Sequence, residues 1–298
     1  MKKITVKVPA TTANLGPGFD AVGCALMLYN ELTFEEKGTS LVITGCDEKY
    51  RGYDNLAVVG YYKTLNTLGV PYPRGLKINI SGDVPISRGL GSSSTLIVAG
   101  VLAANHMNGD KLTNEELLNI CCEIEGHPDN VAPAIYGGLT AALIRDGRTI
   151  SMRYTVDENI RFTALVPDFE MSTEMARAIL PKTINRLDGV YTVGCLALLL
   201  KAFETGDERV LFYALDDKLH QPYRAAMIPQ YEEIRSTALG LGCCGFVISG
   251  SGSTLLAIGG GEDFAARMEK AIQKFDNNWR VIPLKVDTVG AVVTEEEI

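Results

Sequence analysis

The 298-residue sequence has no apolar run approaching the roughly 18 residues that a membrane-spanning helix requires. Its most apolar stretches, Leu96 to Ala104 and Val193 to Leu200, have the length of core segments. It also lacks a basic cluster: 28 Lys and Arg stand against 36 Asp and Glu, which argues against nucleic acid or an anionic membrane as the main partner. Met-Lys-Lys-Ile-Thr-Val-Lys-Val at the start alternates as a strand does and carries no signal-peptide centre or cleavage site, so the expectation is a cytoplasmic protein with a small ligand. Histidine is scarce, at three residues, and no CxxC spacing exists to hold zinc. The seven cysteines are odd in number, with two pairs adjacent in sequence, Cys121-Cys122 and Cys243-Cys244; they read as reduced, buried apolar residues without chemistry. Two familiar phosphate loops are missing, GxxxxGK[ST] and the Rossmann fingerprint, as is the protein-kinase set.

What remains is a globular composition, with 46% hydrophobic and 21% charged residues, and a length that suits two modest domains. The pattern predicts strands at Ile4 to Val8, Leu28 to Phe34, Leu41 to Thr44 and Leu76 to Ser81, with a loop at Ala10 to Asp20. Helices are predicted at Asn55 to Leu68, Thr95 to Asn105 and Thr113 to Glu125, the last opened by a Thr113/Glu116 capping box. A Gly-rich turn and strand follow at Gly137 to Ile144. Around Ser151 to Asn159 the apolar pattern lapses, which sets an expected boundary near residue 155. Beyond it come a strand at Arg161 to Val166, helices at Thr173 to Leu180, Asp188 to Glu204 and Pro229 to Leu241, paired strands at Gly245 to Ile258, a helix at Asp263 to Phe275 and closing strands. Hairpin-like strands beside helices make the fold class α+β.

Pro85-Ile86-Ser87-Arg88-Gly89-Leu90-Gly91-Ser92-Ser93-Ser94 turns directly into a helix. Its glycines let backbone approach a ligand, successive N–H groups can converge on an anion, and the helix start adds partial positive charge. On composition alone such a Gly-Ser turn is often only a turn.

That segment resembles the nucleotide loop of the GHMP kinases. Two further segments fall in the family's order: Pro9-Ala10-Thr11-Thr12-Ala13-Asn14-Leu15-Gly16-Pro17-Gly18-Phe19-Asp20, and Ser249-Gly250-Ser251-Gly252-Ser253-Thr254. The first of these, with Glu125-Gly126-His127-Pro128-Asp129-Asn130-Val131-Ala132-Pro133, is similar to the branch that phosphorylates L-homoserine. Ser94 stands where the family usually has alanine, and Ser253 where it has proline. The resemblance implies two domains, a ribosomal protein S5 domain 2-like amino-terminal, ATP-binding domain over 1–155 and a ferredoxin-like carboxy-terminal domain over 156–298. It further implies ATP and Mg2+, transfer to the L-homoserine side-chain hydroxyl in threonine biosynthesis, and a homodimer as a family-level expectation.

By the same resemblance, Pro85 to Ser94 with Gly250, Ser251 and Gly252 wrap the nucleotide. Ser93 and Glu123 hold the metal, with Glu125 the rival ligand. Arg177 and Arg224 grip the substrate carboxylate, while Asn14, Asp20, His127 and Asp129 lie near its ammonium and hydroxyl. Catalysis is implied for Asn130, Asn14 and Glu123, with Asn130 orienting the hydroxyl, because an amide is no general base. Other readings are a GHMP kinase for a sugar or mevalonate-type alcohol, and a sensor that binds ATP and an amino acid without turnover. His106 and His220 are read as structural.

Overall fold

The computed structural model describes residues 2–297. Alternation of Ile4, Val6 and Val8 with Lys3, Thr5 and Lys7 forms β1 (Lys2–Ala13), and the apolar set is fully buried. It pairs antiparallel with β2 (Val22–Glu35) through a bulge between Pro9 and Ala10. Ala10 to Ala13, expected as loop, are therefore strand: pairing with Gly23 to Leu26 overrides a local pattern without alternation.

The first half continues with β3 (Leu41–Thr44), α1 (Leu56–Leu68), β4 (Leu76–Gly82), α2 (Ser92–Met107) and α3 (Asn114–Glu125). The capping box is present at Thr113 and Glu116. Then come α4 (Val131–Tyr136), β5 (Leu139–Arg145) and β6 (Arg148–Tyr154). The sequence pattern missed α4, a short helix with Pro133 in its first turn, and β6, whose apolar Ile150 and Met152 alternate with polar residues but face outward. The second half is β7 (Phe162–Val166), α5 (Thr173–Ala178), α6 (Arg186–Thr205), α7 (Glu208–Ala214), α8 (Gln221–Arg224), α9 (Tyr231–Gly240), β8 (Cys243–Ile248), β9 (Leu255–Gly259), α10 (Phe264–Ile272), β10 (Arg280–Leu284) and β11 (Val292–Glu297).

Seven strands form the first sheet, in the order β11-β1-β2-β4-β3, with β5 on the other stretch of β2 and β6 outside β5. The second sheet is antiparallel, β10-β7-β9-β8, the strand order of a ferredoxin-like βαββαβ unit. The connector near residue 155 carries the chain between them. The final strand then returns to pair with β1, so the expected unit 156–298 gives its last strand to the first sheet. One apolar cluster also spans both sheets: Ala10, Val22 and Leu26 pack with Phe162, Val166, Phe203 and Leu256. No described helix is long and apolar enough to cross a membrane.

Helices α1 and α2 cross at glycine. A methyl on Gly100 would overlap the Ala57 carbonyl, and one on Gly60 would lie 2.7 Å from the Ile97 carbonyl. This crossing fixes the start of α2. Gly100→Ala is expected to destabilise by about 1–3 kcal/mol from overpacking, although alanine is the better helix former by about 1 kcal/mol; a urea unfolding midpoint that rose would refute the close crossing.

Candidate active site

The three segments that stood apart in sequence meet as backbone. Thr11 N–H donates to the Leu90 carbonyl (3.2 Å), Gly250 N–H to Ala13 (2.9 Å) and Thr254 N–H to Arg88 (3.1 Å). The Ser249 hydroxyl donates to the Gly89 carbonyl (2.7 Å) and lies 2.9 Å from the Thr12 hydroxyl. Glycine is required at two points. Gly89 (φ +75°) and Gly91 (φ +70°) occupy left-handed backbone, and a Cβ would strike the Ser249 carbonyl or the Thr11 side chain respectively.

Gly91 caps α2, which begins at Ser92 rather than Thr95, so the three serines form its first turn. No side chain caps this end, and its first N–H groups, without helical partners, face the loop. Glu125 is the last residue of α3, where Gly126 (φ +89°) ends the helix. Its Oε1 accepts from the Ser93 hydroxyl (2.9 Å) and the Ser94 hydroxyl (3.0 Å). A carboxylate at a helix carboxy terminus faces the wrong pole of the dipole and gains from donors or a cation. Glu123 lies elsewhere: it is 57% exposed and pairs with Lys63 at 2.6 Å. Of the two carboxylates expected as metal ligands, it is therefore the rival, Glu125, and not Glu123, that lies against Ser93.

A cavity of about 860 Å3 runs from this loop to a polar cluster, lined by Asn14, Ser93, Glu125, His127, Asn130, Arg177 and Arg224 among others. At the cluster, Asn14 (φ +56°) accepts from the Asp20 N–H (2.8 Å). Arg177 makes a bidentate pair with Asp20, at 2.9 and 2.6 Å, so the two arginines expected to act together differ in their partners. Arg224 is almost fully buried and has no carboxylate partner among the described residues. Its Nε donates to the Ala176 carbonyl (3.1 Å) and its Nη1 to Gly250 (3.0 Å), which leaves Nη2 for the cavity. Burial, and then the charge of Arg177, pull its pKa down to about 10, so it remains a cation at neutral pH. Both guanidinium groups lie over the Phe19 ring, Arg177 at 5.7 Å and Arg224 at 5.2 Å from its centre.

His127 Nδ1 bonds Asp129 Oδ1 at 2.5 Å, while Asp129 Oδ2 is buried without a partner. Burial disfavours the imidazolium, but the bond and charge of Asp129, with Glu125, outweigh it and raise the His127 pKa. Asp20, His127 and Asp129 place their ligand atoms within 4.8 Å of one another. Asn130 accepts from the Thr11 hydroxyl (2.8 Å) through its carbonyl oxygen, which leaves its NH2 group for the cavity.

Other expected residues separate. Ile86, Ser87, Gly89, Gly91, Ser92, Gly250 and Ser251 line the cavity. Leu90 is fully buried in the core, Pro85 lines a neighbouring groove, and Gly252 stands outside the cavity wall. Arg88 commits its guanidinium to the carbonyls of Pro167, Ile86 and Asp168, fastening the loop to the second sheet rather than offering a free cation. Sequence reasoning missed Thr11 and Phe19 as individual contributors, and the cavity's far wall at Tyr50, Asn55, Leu56 and Val84. Thr11 and Phe19 lie inside a motif and Val84 beside one, whereas no motif pointed to Tyr50, Asn55 or Leu56.

The chain matches the family models "GHMP kinases N terminal domain" over residues 55–138 and "GHMP kinases C terminal" over residues 199–278. It is 41% identical over 297 residues to a homoserine kinase of Clostridium botulinum (strain Loch Maree / Type A3), covering 99% of this chain and 100% of that one. A homoserine kinase of Clostridium beijerinckii is 42% identical over 295 residues, with 98% and 99% covered. The crystal structure of homoserine kinase from Cytophaga hutchinsonii superposes with a TM-score of 0.88 at 29% identity, over 98% of this chain and 97% of that one.

The Gly89 contact makes a test of the seam. In Gly89→Ala the left-handed backbone and the displaced Ser249 together cost about 1–3 kcal/mol, which is expected to weaken ATP binding about tenfold by calorimetry. Unchanged affinity would mean that the loop tolerates separation from the turn at Ser249.

Proposed function

The chain belongs to the GHMP kinases, and from that membership we infer that it transfers the terminal phosphate of ATP to the side-chain hydroxyl of L-homoserine, giving O-phospho-L-homoserine for threonine biosynthesis. The observation that carries the substrate is the polarity of the cavity's far end. Arg224 turns a free guanidinium nitrogen toward the cavity beside a cluster holding the buried, half-satisfied Asp129. A zwitterionic amino acid complements both, its carboxylate on Arg224 and its ammonium against Asp129 and Asp20. A sugar or mevalonate-type alcohol offers no such pair of charges.

We assign the phosphates to the Gly89–Ser94 loop and the free N–H groups of α2, and the nucleoside to the wall of Tyr50, Asn55, Leu56 and Val84. This gives the nucleotide to the amino-terminal unit, 1–155, with Gly250 and Ser251 reaching it from the second. Ser93 and Glu125 suit Mg2+: they are hard oxygen donors already within 2.9 Å of each other, beside the phosphate loop. When bound, the ion offsets charge on the phosphate oxygens. Asn130, its carbonyl oxygen held by Thr11, presents an amide donor to the acceptor hydroxyl, and an amide takes no proton. In the transfer the substrate O–H bond breaks as its oxygen joins phosphorus, ADP departs, and the proton passes to an oxygen of the transferred phosphoryl group. Positioning supplies most of the rate.

A cytoplasmic location accords with seven free thiols, several of them held protonated by burial, with Cys243 and Cys244 pushed up to about 12. A homodimer is supported by α6, where no charged side chain occurs from Gly189 to Leu200. Leu187, Val190, Val193 and Leu198 are all more than half exposed there. Gly194 has open space beyond it. Phe212 and Tyr213 of α7 are also more than half exposed, and exposed large apolar side chains in such number suit an interaction surface.

Coupled-assay ADP release with MgATP, comparing L-homoserine, L-serine, mevalonate and galactose, tests the substrate; preference for another alcohol would overturn the assignment of Arg224. In the same assay Glu125→Gln is expected to lower kcat by about 100-fold or more, and Glu123→Gln to leave it nearly unchanged. The reverse order would restore Glu123. Val190→Glu with Leu198→Glu is expected to convert a dimer to a monomer in sedimentation analysis, and a monomeric parent would refute the α6 interface.

A further inference from the structure

His220 has no part in the roles above, yet it is fully buried and touches both sides of the amino-acid end. Its Nε2 lies 2.9 Å from the Gly16 carbonyl, on the loop that carries Asn14 and Asp20, and its Nδ1 lies 3.3 Å from Arg224 Nη1. A carbonyl only accepts and a guanidinium only donates. One protonation pattern therefore serves both contacts: Nε2–H donates to Gly16, and the Nδ1 lone pair accepts from Arg224. A doubly protonated ring would set donor against donor and cation against cation.

The charges around the ring act consistently. Burial, above all, and the Arg224 charge hold its pKa below the usual histidine value, against the opposing pull of Asp217, 3.5 Å away. The backbone is fixed as well. Asp217 accepts from the N–H groups of Leu219, His220 and Gln221, and the Gln221 side chain accepts from Ile248 N–H in β8. Phe19 stacks on the imidazole with centroids 5.4 Å apart.

We propose that His220 is a positioning residue for the amino-acid substrate: by bridging Gly16 and Arg224 it fixes the separation between the Asn14–Asp20 loop and the guanidinium that meets the substrate carboxylate. The inference rests on the assignment of Arg224 to that carboxylate. None of its hydrogen bonds reaches the phosphate loop, and only the Arg224 bond to Gly250 leads toward the nucleotide, so its loss is felt mainly by the amino-acid substrate.

Steady-state kinetics on His220→Phe, His220→Gln and Arg224→Gln test it. Phenylalanine keeps the stacked ring and loses both polar contacts, whereas glutamine offers an amide donor and a carbonyl acceptor. His220→Phe is expected to raise KM for L-homoserine about tenfold or more while KM for ATP stays within about twofold, and His220→Gln to recover much of the loss. In the parent protein, 15N chemical shifts are expected to place the ring proton on Nε2, a readout that needs no variant to fold. An unchanged KM for L-homoserine in folded His220→Phe, an equal rise for both substrates, or a parent ring protonated at Nδ1 would overturn the proposal. Failure of Arg224→Gln to raise KM for L-homoserine would instead locate the error in the carboxylate assignment.

Discussion

Everything around the cavity depends on the contact between Gly89 and Ser249. There the loop before α2 lies directly on the turn between β8 and β9, and the end of β1 lies against both. At Gly89 the backbone packs against the Ser249 carbonyl with no room for a Cβ, and the short Ser249 side chain ties the same point to Gly89 and Thr12. Groups from both sheets are thereby held at fixed separations, and transfer between two bound molecules needs such fixed separation more than it needs reactive side chains. The cluster that joins Val22 and Leu26 to Phe162 and Leu256, and the return of β11 to β1, brace the same junction from behind.

Charge is sorted along the cavity. One end has the free N–H groups of α2 facing a carboxylate at the end of α3, so an anion and a cation can be held side by side. The other has a buried guanidinium near carboxylates that are paired or buried. Burial makes each of these charges demanding, since an ion removed from water must find its partner in the protein or in what binds there. Phe19 lets two guanidinium groups share one small volume by giving both an aromatic face.

Much was legible in the sequence because it depends on neighbours a few residues away. The Thr113 capping box, the alternation of β1 and the glycines that turn the chain at Gly89 and Gly91 are local devices, and they form as the pattern predicts. Other elements depended on remote partners. Ala10 to Ala13 become strand because β2 is there to pair with them, and β6 is strand because β5 pairs with it, although its apolar Ile150 and Met152 face outward.

The sequence by itself determined the α+β class, the three motifs and the residue types that sort charge along the cavity. The tertiary structure decided which of two similar residues faces the site. Glu123 and Glu125 are equally acidic and two places apart, which puts them roughly 200° from each other around a helix. Only the packing of α3 on α1 and α2 sends one to Ser93 and the other to Lys63. Likewise His220 reads as one isolated histidine until folding sets a carbonyl from residue 16 and a guanidinium from residue 224 on its two nitrogens. Composition and spacing carry no orientation. Orientation comes from close packing, which every distant part of the chain determines together.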